Sequence, residues 1–160
     1  LTHQEARDKV RAIYIAQGIS VDQELNLPED HLAFELEFLG IMAERARDLA
    51  QAQDHDGLLA NLICQRSFMG DHLLNWIAAF EENLVACALT KFYVALTHIV
   101  QGFLEQDAAL LDELIDLLGG APYQRADDYV EGVAAVPEKK ANVANAKYDD
   151  GSYVDDLPSE

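Results

Sequence analysis

Asp30, His31 and Glu35 are the residues whose types and spacing come nearest to chemistry in this chain. Two carboxylates flanking an imidazole can move protons, and residues four apart on a helix, such as His31 and Glu35, can touch. A reaction needs more than that. No Gly-x-Ser-x-Gly, HExxH, Walker A or GxGxxG sequence is present, and nothing supplies a nucleophile or an oxyanion site. Asp54-His55-Asp56 offers three metal-ligand types in a row. Three consecutive side chains cannot converge on one ion without an unusual loop, and the adjoining Gly57 makes the stretch a turn with a helix cap. A di-iron bundle needs Glu-x-x-His, and none of the five histidines has a glutamate three residues before it. Cys64 and Cys87 lie in apolar surroundings without CxxC spacing and are expected as buried, reduced thiols. The expectation is binding rather than catalysis: no enzyme, no metal and no cofactor.

For binding, the chain offers better material. Asp30, His31 and Asp71 offer polar groups, and Leu32, Phe34 and Trp76 offer apolar surface. Phe68, His72, Trp76 and Phe80 recur every four residues and would form one ridge on a helix. Core packing is the better assignment for Phe68 and Phe80. Trp76 suits a groove equally well, because its indole N–H needs a partner. The charge balance points the same way. With 29 acidic against 11 basic residues the formal net charge is −18, which argues against nucleic acid and suits either plain solubility or a cationic partner. There is no secretory signal and no apolar run long enough to span a membrane, so the cytoplasm is the expected location.

The elements that must position these residues are helical, because the apolar residues repeat with a 3.6-residue period. Residues 2–17 read as a helix, with Thr2 and Glu5 as a capping box and Gly18 as its end. The central helix is expected to start at Pro28, capped by Asn26, with Glu29 and Asp30 in its first turn, and to run to about Gln53. A short helix follows at residues 58–66. A long one covers most of 85–118, with candidate weak points at Gln101-Gly102 and before Asp107, and ends at Gly119-Gly120. Leu32, Leu36, Phe38, Leu39, Leu73, Ile77, Phe92 and Leu96 are the expected core. From Ala121 the composition turns polar and acidic, with isolated tyrosines at 123, 129, 148 and 153, which reads as a low-complexity tail. The organisation is thus a helical domain at 1–120 and a tail at 121–160.

The run Pro28-Glu29-Asp30-His31 followed by Leu-Ala-Phe-Glu-Leu-Glu-Phe-Leu resembles the P-x-D-H segment of the TorD/DmsD-type (NarJ-like) redox-enzyme maturation chaperones. His72 and Trp76 match a second family pattern at the same four-residue spacing, and Phe92-Tyr93 resembles an aromatic pair often found there. The resemblance covers roughly residues 12–118. It implies an all-helical bundle that binds the twin-arginine signal peptide of a molybdoenzyme before cofactor insertion and export. The implied partners are that peptide and the apo form of the molybdenum enzyme. The implied peptide site comprises Pro28, Asp30, His31, Leu32, Phe34, Asp71, His72 and Trp76. The competing assignment is a helical assembly subunit without peptide specificity.

Proteins of that family carry further helices before the matching segment, and this chain starts with Leu. The expectation is a chain lacking the usual N-terminal helices. Two of its helices show apolar residues on more than one face, which one small bundle does not cover. A homodimer, with exchanged helices, or the tyrosines of the tail would supply the cover.

Overall fold

The computed structural model describes residues 2–21 and 27–125, with side chains from Glu5 onward. Among these residues it contains five α-helices and one π-helical turn, and no strand. The helices are α1 (Thr2–Ala16), α2 (Leu32–Gln51), α3 (His55–Phe68), α4 (Ile77–Cys87) and α5 (Lys91–Leu117); the π turn, Met69–Leu73, continues directly from α3. The all-helical expectation holds. No helix among the described residues is long and apolar enough to cross a membrane.

Three helix ends share one device. After α1, α2 and α5 a residue with positive φ follows the last turn: Gly18 at 67°, Gln53 at 57° and Gly119 at 76°. The next N–H then reaches back five residues, from Ile19 to Tyr14, from Asp54 to Leu49 and from Gly120 to Ile115. This closes the carbonyls a helix end leaves open and turns the chain sharply. Glycine takes that conformation at little cost, whereas Gln53 takes it with a side chain attached. Asp54 then caps α3, its carboxylate accepting from the Gly57 N–H at 2.9 Å. The Asp-His-Asp-Gly stretch is therefore the turn and cap its sequence suggests.

The start of α2 differs from expectation. The helix begins at Leu32, not Pro28, and His31 is its N-cap, with extended backbone and Nδ1 accepting from the Ala33 N–H at 3.2 Å. Residues 28–31 form a separate turn closed by His31 N–H to the Pro28 carbonyl. Once that turn is closed, a capping side chain is needed at 31, and the imidazole supplies it. The other proposed cap, Asn26, lies outside the described residues, as does the Thr2 side chain.

The long helix expected across residues 85–118 is two. Ala88 is extended and Thr90 takes N-cap backbone geometry, so α4 ends and α5 folds back along it. No Gly or Pro marks this break; Thr90, a residue type that favours caps, is its only local signal. Beyond it α5 runs unbroken past Gln101-Gly102 and Asp107.

The core gathers where α1, α2, α3, the π turn and the second half of α5 meet. Phe38 packs on Phe68 with ring centroids 4.4 Å apart, and Tyr14 on Phe38 at 5.1 Å. Met42, Leu62, Met69, Leu73, Leu104, Leu111 and Ile115 complete it. Arg45 ties α2 to α1 by donating to the Gln17 carbonyl at 2.8 Å. Of the expected core, Phe38, Leu39, Leu73 and Ile77 are buried, and Leu32 and Leu36 are partly buried against it. Phe92 and Leu96 are not core: they are 68% and 46% exposed. The first half of α5 lies along α4, with Val100 reaching the core, and Val85 of α4, Leu89 of the link and Phe92, Tyr93, Ile99 and Phe103 of α5 stand in the open. Cys87, expected to be buried, is exposed at the end of α4, and Cys64 is half-buried; both are free thiols.

Candidate peptide-binding site

The turn before α2 brings Asp30 and His31 to the surface rather than into a helix. Pro28 and His31 are exposed, Asp30 and Leu32 half-buried, and Phe34 sits behind them with little surface left. The His31 ring packs edge-on to Phe34 at 5.9 Å. Because Nδ1 accepts the cap bond, the neutral ring carries its proton on Nε2, which leaves a donor facing outward. Glu29 is the acid already engaged: Arg7 and Arg11 of α1 approach it at 3.7 and 3.8 Å. Asp30 has no ion pair among the described residues. A cavity of about 210 Å³ opens beside this corner, between Tyr14, residues 19–21 and the Phe34, Phe38 and Ile41 side of α2.

Behind the surface lies a group that sequence reasoning treated only as a neighbour of His31. Glu35 is 2% exposed, and its Oε2 has no hydrogen-bond partner among the described residues. Burial, then the nearby Asp30 charge, push its pKa up to about 8. The Tyr14 hydroxyl is likewise buried without a partner, and its pKa is raised by burial and by Glu35, Asp30, Glu29 and Glu37 in turn. The Glu35 N–H donates to the His31 carbonyl at 3.1 Å, but their side chains do not hydrogen-bond to each other. Nothing here arranges the two for proton transfer to a substrate.

The second cluster is built by the π turn. Widening the helix at Met69–Leu73 shifts its hydrogen bonding, and the Leu74 N–H bonds the Met69 carbonyl. Side chains take up carbonyls nearby: Trp76 Nε1 donates to His72 O, and Asn75 Nδ2 donates to Asp71 O at 2.6 Å. The indole N–H thus finds its partner in the backbone. Trp76 is half-buried and stacks edge-on to Phe80 at 5.7 Å, while His72 is buried against Phe68 at 5.1 Å. Burial lowers the His72 pKa, although Asp71 opposes the shift. The four-residue ridge is therefore cut in two: Phe68 and His72 face inward, and Trp76 and Phe80 form a separate pair.

The Asp71 carboxylate is engaged. Tyr123, beyond the end of α5, donates its hydroxyl to Asp71 Oδ1 at 2.5 Å. Arg66, Gly70 and Tyr123 are members of this cluster that sequence reasoning missed. Tyr123 was grouped with the tail tyrosines, and Tyr129, Tyr148 and Tyr153 lie outside the described residues. The two clusters share no hydrogen bond or ion pair among the described residues; they are linked through the packed rings of Phe38 and Phe68. No group of three or more metal-ligating side chains converges among the described residues.

A family model described as nitrate reductase delta subunit matches residues 1–82. The chain is 37% identical over 108 residues to chaperone protein TorD of Vibrio cholerae, an overlap of 67% of this chain and 47% of that protein. It is 35% identical over 94 residues to the protein of the same name from Photobacterium profundum, covering 59% and 42%. With that of Vibrio vulnificus it shares 30% identity over 111 residues, covering 69% and 50%. The chain spans about half the length of these relatives. No solved structure matches it.

Proposed function

Since this chain belongs to the nitrate reductase delta subunit family, we propose that it works as a cytoplasmic maturation chaperone of the TorD type. In this reading it binds the twin-arginine signal peptide of a molybdoenzyme and holds the apo enzyme back from export until its cofactor is in place. No reaction is catalysed. The single observation that carries the peptide site is the corner before α2. It combines an acid outside any ion pair among the described residues, Asp30, an outward imidazole donor, His31, and a largely apolar cavity beside Phe34. A peptide with two guanidinium groups followed by an apolar segment matches that order of chemistry. The net charge of −18 favours its approach. Asp71 and Trp76 extend the site at and just past the π turn, with His72 packed behind them against Phe68.

The test is a titration of the chain with a twin-arginine peptide and with a Lys-Lys control. Asp30→Ala and His31→Ala are expected to weaken binding about tenfold, the usual scale of one charge-assisted hydrogen bond. The fold should survive, since losing a cap costs about 1 kcal/mol. Unchanged binding by both variants would remove this site, and equal binding of an Ala-Ala peptide would remove the specificity. The open faces of α4 and α5 favour a second reading, a helical assembly subunit that packs with partner chains. In that case the peptide would not bind, and substitutions on those faces would release the partner.

A further inference from the structure

Residues 121–125 do not leave the bundle after α5. Gly120 fits closely enough that a Cβ there would meet Ile115 and Leu59, and the chain then turns so that Tyr123 returns to the π turn. Three contacts hold the ring. Its hydroxyl donates to Asp71 Oδ1 at 2.5 Å. The Arg66 guanidinium lies 4.2 Å from its centroid. Its edge lies so near Gly70 that any Cβ there would overlap it. Arg66 is fixed independently, donating to Asp112 at 2.8 Å from the side of α5. The seat therefore has a glycine floor, an arginine wall held in place, and a carboxylate acceptor. Burial and then the bond to Asp71 push the Tyr123 pKa up to about 12, so the phenol stays a donor throughout the physiological range.

We propose that residues 121–125 form a strap that competes internally for Asp71, holding this acidic anchor of the peptide site until an arginine-bearing peptide displaces it. The proposal rests on the peptide-binding reading above. A guanidinium that binds a carboxylate through two parallel N–H···O bonds uses both oxygens in the carboxylate plane. Tyr123 sits on one of them, and its ring, wedged between Gly70 and Arg66, fills the space beside it. The carboxylate keeps lone pairs to spare, so it is the bulk of the ring that shuts out a side-on guanidinium, and a peptide that pairs with Asp71 in this way must first lift the strap. Its apparent affinity is then lower than its intrinsic affinity by the fraction of chains with the strap up.

The experiment uses the full 160-residue chain as wild type, Tyr123→Ala and Gly70→Ala, each alone and with Asp71→Asn. Tyr123→Ala removes the competitor, and Gly70→Ala pushes the ring out with its chemistry intact. Each protein is titrated with the twin-arginine peptide. The wild type is also labelled with 3-fluorotyrosine, and the Tyr123 resonance is identified by its loss in Tyr123→Ala. Both single variants are expected to bind about tenfold more tightly than wild type, the scale of one hydrogen bond to a charged group. The gain should vanish with Asp71→Asn, and the peptide should move the Tyr123 resonance to that of an exposed tyrosine. Equal affinity in all three proteins with an unmoved resonance, or binding indifferent to Asp71, overturns the strap and leaves peptide binding standing. Absence of binding by every protein, Tyr123→Ala included, overturns both.

Discussion

Glu35 keeps a proton that glutamates ordinarily give up. Its pKa rises from 4.5 to about 8 because ionisation would place a charge in an apolar corner already facing Asp30. The sign of the effect follows from proton counting. Between these two values the folded chain holds a proton that the unfolded chain has released, so raising the pH through that window favours unfolding. The Glu35 contribution to stability should fall from about pH 5 to pH 8 and level off above, against a smaller opposite trend from His72, whose pKa burial lowers. The loss is on the order of a few kcal/mol, since one pKa unit is about 1.4 kcal/mol. In Glu35→Gln the fall should be much smaller, and the variant should be the more stable protein at pH 8. Parallel urea titrations of the two proteins at pH 5 and pH 8 check this; equal slopes would mean that the corner is solvated. Spacing along the sequence pairs Glu35 with His31, but spacing says nothing about which face a third helix will cover. Asp30 and His31 were legible as a charged, surface-reaching pair. That His31 caps the helix was not, because an imidazole is an uncommon cap and Pro28 followed by two acids is the stronger start signal.

At the scale of the element, α5 is two different helices end to end. Leu104, Ala108, Leu111 and Ile115 are buried on α3 and the core, whereas Leu96, Ile99 and Phe103, with the same apolar character, face outward. Leu104 is fully buried, so Leu104→Ala should cost about 2–5 kcal/mol. Leu96→Ala should change the stability of the isolated chain by well under 1 kcal/mol. Chemical denaturation of the two variants measures the contrast, and a large loss at Leu96 would show that something covers it in solution. Periodicity identified the helical character of this stretch but not its partner. A 3.6-residue apolar repeat records that a face is buried somewhere, and does not say in which chain. The π turn was illegible for a different reason. It is one inserted residue in the hydrogen-bond ladder, with no composition of its own, and it changes the phase of everything after it.

At the largest scale, the balance among the described residues is between a closed core and open apolar faces on α4 and the first half of α5. Large contiguous apolar patches on a monomer mark an interface. A second copy of the chain is the expected cover, with helices exchanged, because exchange reuses contacts the sequence already encodes. Sedimentation of the chain with and without residues 121–160 should give a dimer in both cases. A monomer that binds no hydrophobic dye would contradict this, and a monomer that appears only when residues 121–160 are present would assign the cover to the tail.

The bond between the Trp76 indole and the His72 carbonyl has an optical consequence. The chain has a single tryptophan, so emission excited at the red edge of absorption, where its six tyrosines do not absorb, comes from one ring, tied to the π turn and edge-on to Phe80. That colour is a property of one junction rather than an average over the bundle. It would redden when the turn relaxes into an ordinary helix and the indole meets water, even if every other helix stayed in place.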